Sequence, residues 1–133
     1  MPQVFSADAQ SNQNAVDFTS SPPVPIIDTN PLQPPFQTCK AKIFAWAVVA
    51  LDATETEIVL SLIRNPESDN VTVADVAMVV VAGQIPQALV TVAGTDQVPD
   101  PRAVSYELQL RGTTNTGNNQ STAAYIEATL ISG

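Results

Sequence analysis

Beyond residue 40 apolar and polar positions alternate along most of the chain. In VSYELQLR, Val104, Tyr106, Leu108 and Leu110 fall on one face of an extended strand, with Ser105, Glu107, Gln109 and Arg111 on the other. That period of two predicts a half-buried antiparallel strand. The closing segment AAYIEATLI alternates likewise, setting Ala124, Ile126, Ala128 and Leu130 against Tyr125, Glu127, Thr129 and Ile131. GTTNTGNNQS between them offers Gly and Asn for a turn, so the pair reads as a β-hairpin. Upstream, EIVLSLIR puts Ile58, Leu60 and Leu62 on one face, while KIFAWAVVAL is apolar on both faces, as a central strand is. LDATETE is the turn between them. β-Branched density favours strand in NVTVADVAMVVVAGQIPQALVTVAG, and Gly83 with Pro86 divides it into strands over 71–82 and 87–93. Six or more short strands with no helix predict an all-β antiparallel β-sandwich or jelly roll.

Residues before 40 follow a different grammar. Pro2, Pro22, Pro23, Pro25, Pro31, Pro34 and Pro35 lie there among Gln, Asn and Ser, with no glycine and no basic residue. Prolines remove backbone donors and bias SSPPVPIIDTNPLQPPFQ toward extended backbone. The expected organisation is an extended proline-rich N-terminal arm over 1–40 and a β-sandwich domain over 41–133. Isolated apolar residues recur along the arm, and Phe5, Phe18, Ile26, Ile27, Leu32 and Phe36 are its expected partner-binding anchors, the alternative being a disordered, solvated tail.

A chain of 133 residues supports one core. Its five basic and thirteen acidic residues give a net charge of -8, which repels phosphate backbones and anionic lipid, so neither nucleic acid nor membrane is an expected partner. No run of eighteen apolar residues is present, and the N-terminus lacks the basic start and apolar run of a secretory leader. Histidine is absent, which removes His-based triads and His-ligated metal from consideration. The single Cys39 closes no intrachain disulfide, and with no histidine or second cysteine beside it reads as a buried or incidental thiol.

Other chemistry is thin. Asp75, Asp96 and Asp100 are oxygen ligands in principle, but their spacing matches no calcium loop. Glu107 and Glu127 would be neighbours in the proposed hairpin and are read as a solvated face in preference to a catalytic carboxylate pair. Asn70-Val71-Thr72 and Asn119-Gln120-Ser121 are glycan-acceptor triplets of the kind that polar turns produce by chance. Phe44 and Trp46, two apart on one strand face, are read as core in preference to a ligand platform. No cofactor, no metal and no catalysis are expected.

The stretch VSYELQLRGTTNTGNNQSTAAYIEATLIS combines a Tyr-bearing alternating strand, a Gly/Asn/Thr loop and a closing x-I-x-A-x-x-I strand. It resembles the small trimeric jelly-roll domains, of TNF/C1q-like form, in virion proteins of tailed phages, such as head-fibre, decoration and tail-associated proteins. The likeness extends over the body from about Lys42 to Gly133, without the Gly-rich stalk that many such proteins carry. It implies a homotrimer on the capsid surface, with the major capsid protein or another virion protein as partner. The implied function is a decoration or cement protein held to a phage head by its arm. The two-sided apolar character of KIFAWAVVAL and VAMVVVAG independently favours self-association. The competing reading is a ligand-binding module, carbohydrate-binding or adhesin-like, with Phe44, Trp46, Tyr106 and Tyr125 as its aromatics.

Overall fold

Nine strands form in the computed structural model, which describes residues 3–35, 38–84, 86–98 and 102–132. They are β1 (Val4–Asn12), β2 (Val16–Phe18), β3 (Val24–Asp28), β4 (Cys39–Ala50), β5 (Glu57–Arg64), β6 (Val71–Val79), β7 (Gln87–Val98), β8 (Tyr106–Arg111) and β9 (Asn119–Ser132). Every pairing is antiparallel. The larger sheet runs β1-β9-β4-β7, with β2 also on β9; the smaller runs β3-β8-β5-β6. The two pack as a β-sandwich.

Period-two alternation builds its core. β4 turns Ala41, Ile43, Ala45, Ala47 and Val49 inward, and β9 turns Ala124, Ile126, Ala128 and Leu130 inward beside them. Facing these mostly small side chains are the large ones of the smaller sheet: Ile58, Leu60, Leu62, Tyr106, Leu108 and Leu110. Small against large lets the layers interdigitate at interior density.

The β8–β9 hairpin expected from the alternation does not form. These strands lie in opposite sheets, and Gly112–Asn118 carries the chain across the sandwich. Alternation fixes which face is buried, but two strands facing one core from opposite sides alternate just as two paired strands do. Only β5 and β6 are both consecutive in sequence and paired.

The boundary at residue 40 also gives way. The N-terminal segment supplies β1, β2 and β3 to the sandwich, and Phe18, Ile26, Ile27 and Leu32 are buried in its core, with Phe5 half-buried against it. Phe36 lies outside the described residues. Leu32 and Val104 exchange backbone hydrogen bonds of 2.7 and 2.9 Å, so the chain after β3 stays on the smaller sheet. Accessible surface is 6843 Å², close to the roughly 6,700 Å² of a compact monomer of this mass. Proline permits this arrangement because it sits at edges. β1 and β2 contain none, and Pro25 lies in β3, which ends its sheet and shifts register between Pro25 and Ile27. β1 escapes a hydrophobic-pattern reading because its inward positions are polar. Ser6, Asp8, Gln10 and Asn12 oppose the inward positions of β9, and they sit where the sandwich opens toward β3. There Asn12 Nδ2 donates to the Ile26 carbonyl at 3.3 Å and the Asn30 amide donates to Asp8 at 2.8 Å.

Candidate functional site

The outer face of the larger sheet is the most distinctive surface. Because β4 turns its alanines inward, it turns Phe44, Trp46 and Val48 outward, and the sheet register sets Tyr125 beside Trp46 and Leu89 beside Val48. The Trp46 and Tyr125 rings stack with centroids 5.9 Å apart and planes 17° apart. Phe44 is 37% and Leu89 63% exposed, while Trp46, Val48 and Tyr125 are half-buried. Small neighbours, Ala9, Ala93 and Ala123, leave the larger side chains standing above the sheet. The carboxylate within this patch, Glu127, accepts the Tyr125 hydroxyl at 2.8 Å, a bond that raises the phenol pKa. Phe44 and Trp46 are therefore surface residues and not core: β4 is apolar on both faces, but its inner face is alanine, isoleucine and valine and its aromatics lie on the outer one. An apolar, aromatic-centred patch of this kind is the make-up of a protein contact surface.

Two buried polar clusters hold the sandwich behind this face. Asp96 on β7 accepts Arg64 Nη1 of β5 through both oxygens at 2.9 and 3.0 Å, and accepts the Tyr106 hydroxyl of β8 at 2.8 Å. Asp96 thus ties both sheets together. Burial first, and the Asp96 carboxylate second, push the Tyr106 phenol far above its ordinary range. Asp75 accepts the Ser61 hydroxyl, and Asp100 lies outside the described residues. Among the described residues no three His, Cys, Asp or Glu side chains are arranged to hold a metal ion.

The second cluster closes the end of the sandwich. Glu55, 1% exposed, accepts from the amides of Thr56, Glu57 and Thr113 and from Asn119 Nδ2 at 2.7 Å. Gly112 is required beside it, since a Cβ there would lie 2.3 Å from Glu55 Oε2. Asn119 is buried in this network, so its triplet is structural. Burial raises the Glu55 pKa, but the converging donors outweigh it and bring the pKa from 4.5 to about 2. A depressed carboxyl pKa stabilises the fold above the unfolded pKa and loses that contribution as pH falls through the folded one. Glu55 is thus expected to contribute about 3 kcal/mol at neutral pH, lost between about pH 5 and pH 2. Urea denaturation of wild type and Glu55→Gln across that range checks it: the difference in stability between the two should shrink as pH falls.

Cys39 is buried, and burial pushes its thiol pKa up, away from reactivity. Glu107 and Glu127 lie on different sheets, so they form no carboxylate pair. Glu107 instead shares an open cleft of about 470 Å³ with Asp28 and Glu67. Burial chiefly, and these two carboxylates further, raise its pKa.

No family model matches the sequence, and no curated protein does. Among solved structures, a similar chain is described as "X-ray structure of Triatoma virus empty capsid"; identity is 14%, the match covers 98% of this chain and 87% of that one, and the TM-score is 0.37. That likeness is too loose to carry a functional argument, which rests on the chain's own surface.

Proposed function

We propose that the chain is a structural virion protein, a decoration or cement protein at a capsid surface, and that it attaches through the outer face of its larger sheet. The outer-face stripe of Phe44, Trp46, Val48, Tyr125 and Leu89, exposed at its ends and half-buried between, carries this reading. Of the anchors expected on an arm, Phe18, Ile26, Ile27 and Leu32 are occupied in the chain's own core, so attachment passes from the N-terminal segment to this face. Its partner is the major capsid protein or another virion protein. Desolvating a central Trp or Tyr in such a patch is commonly worth about 2 kcal/mol or more. No catalytic step belongs to this reading, since the chain contains no histidine and the Cys39 thiol is buried.

The Trp46–Tyr125 ring pair also favours a second reading, a sugar-binding face. Leu89 and Phe44 weigh against it, because they add apolar area without the donors and acceptors that orient a polyhydroxylated ligand. Co-sedimentation with shells of the encoding virus, stripped of accessory proteins, tests the attachment. Wild type should saturate the shells, and Trp46→Ser should bind about 30-fold more weakly with an unchanged circular dichroism spectrum. Equal occupancy by the variant contradicts the proposal, as does wild type left in the supernatant.

A further inference from the structure

A second surface is independent of that face. β6 ends the smaller sheet and is paired on one side only, by β5. Edge strands present unpaired N–H and C=O groups, and proteins commonly blunt them with proline, lysine or polar residues. At the other end of the same sheet β3 carries Pro25, and in the larger sheet the edge strand β1 carries Asp8, Gln10 and Asn12. From residue 71 to 82 there is no proline, glycine or basic residue, and the one acidic residue, Asp75, accepts the Ser61 hydroxyl. Four of the exposed large apolar side chains of the described residues fall here: Val71, Val76, Val79 at 77% and Val81 at 58%.

The order of residues in this segment identifies the partner. In VTVADVAMVVV the valines are nearly symmetric about Val76: Val71 matches Val81 and Val73 matches Val79, while Thr72 stands opposite Val80. We propose that β6 is a homodimer seam, pairing antiparallel with β6 of a second copy about a two-fold axis at Val76. In that register Val73 meets Val79, Ala74 meets Met78 and Val76 meets itself, while Val71 lies opposite Val81 in the turn that follows β6. Each Asp75 lies opposite Ala77 and not its twin, so the seam avoids like-charge contact. The register shift of β6 against β5 falls between Leu62 and Ile63, outside the central 74–78 pairs. Elsewhere a net charge of -8 keeps copies apart, whereas this edge offers an almost uncharged strand complementary to itself. Two four-stranded sheets then become one continuous sheet of eight.

Sedimentation equilibrium and site-directed cross-linking of the whole chain test the seam. Wild type should show twice the 14.0 kDa chain mass. Val76→Lys, which sets two ammonium groups face to face at the axis, should return the mass to one chain. Val79→Lys, at the most exposed position, should do the same if Val76→Lys fails to fold. With oxidised glutathione, Val76→Cys should cross-link to a disulfide dimer, since directly opposed antiparallel residues meet the Cα spacing a disulfide needs. Val71→Cys, far from its twin in this register, should remain uncross-linked. A wild-type mass of one or three chains overturns the proposal, as does cross-linking at residue 71 equal to that at residue 76. Trp46→Ser should leave the dimer intact, so failure of the attachment reading and failure of this one are distinguishable.

Discussion

A chain that begins at residue 35 is expected not to fold. Such a truncation removes β1, β2, β3 and Leu32, and with them four buried side chains, Phe18, Ile26, Ile27 and Leu32. Each is worth about 1.5 to 3 kcal/mol of burial, a combined loss comparable to the whole 5–15 kcal/mol that keeps a domain folded. It also uncovers β8 along the edge that β3 occupies and β9 along the edge that β1 and β2 occupy. Thermal denaturation followed by circular dichroism should show no cooperative transition in the truncated chain. A sharp melt with an unchanged β spectrum would restore the N-terminal segment as an arm outside the body.

Asp96→Ala carries the next largest expected effect, about 3–5 kcal/mol of lost stability. The carboxylate compensates the buried Arg64 guanidinium, whose Nε has no hydrogen-bond partner and stands 3.8 Å from Asp69. Removing Asp96 leaves a charge nearly out of water and the Tyr106 hydroxyl without its acceptor. Exchanging both ions for apolar groups behaves differently, because the desolvation cost disappears along with the attraction. Asp96→Leu combined with Arg64→Met should therefore recover much of the loss in urea denaturation. A loss below about 1 kcal/mol in the single variant would show that water reaches the guanidinium and that the cluster does not clamp the sheets.

Strand identity after residue 40 was legible because burial on one face imposes a period of two. β8 and most of β9 carry their large apolar residues at alternate positions, and those positions are the buried ones, while β5 buries Val59 and Ile63 as well as the alternating Ile58, Leu60 and Leu62. Pairing was not legible. Tyr106, Leu108 and Leu110 alternate as they would in a hairpin, yet they meet Ile126 and Leu130 across the core. Composition misled before residue 40, where proline density hid three strands, two of them free of proline and the third an edge strand whose register shifts at Pro25, and where the inward positions of β1 are polar. In β4, size was mistaken for depth: Ala45 and Ala47 are buried and Trp46 is not. A sheet packed against large leucines needs small residues inside, which displaces its aromatics to the surface. The attachment face was in view as residues but assigned to the interior. The Arg64–Asp96–Tyr106 cluster joins β5 to β7 and β8 across the two sheets, and no local spacing announces it.

Trp46 is the sole tryptophan, so its fluorescence reports on the proposed attachment face alone. Acrylamide quenching of Trp46, measured for the free protein and for the protein bound to stripped shells, tests the account most directly. Trp46 should be readily quenched in the free protein and, on the shells, should show a blue-shifted emission largely protected from quencher. Bound protein whose Trp46 remains as quenchable as in solution would contradict it.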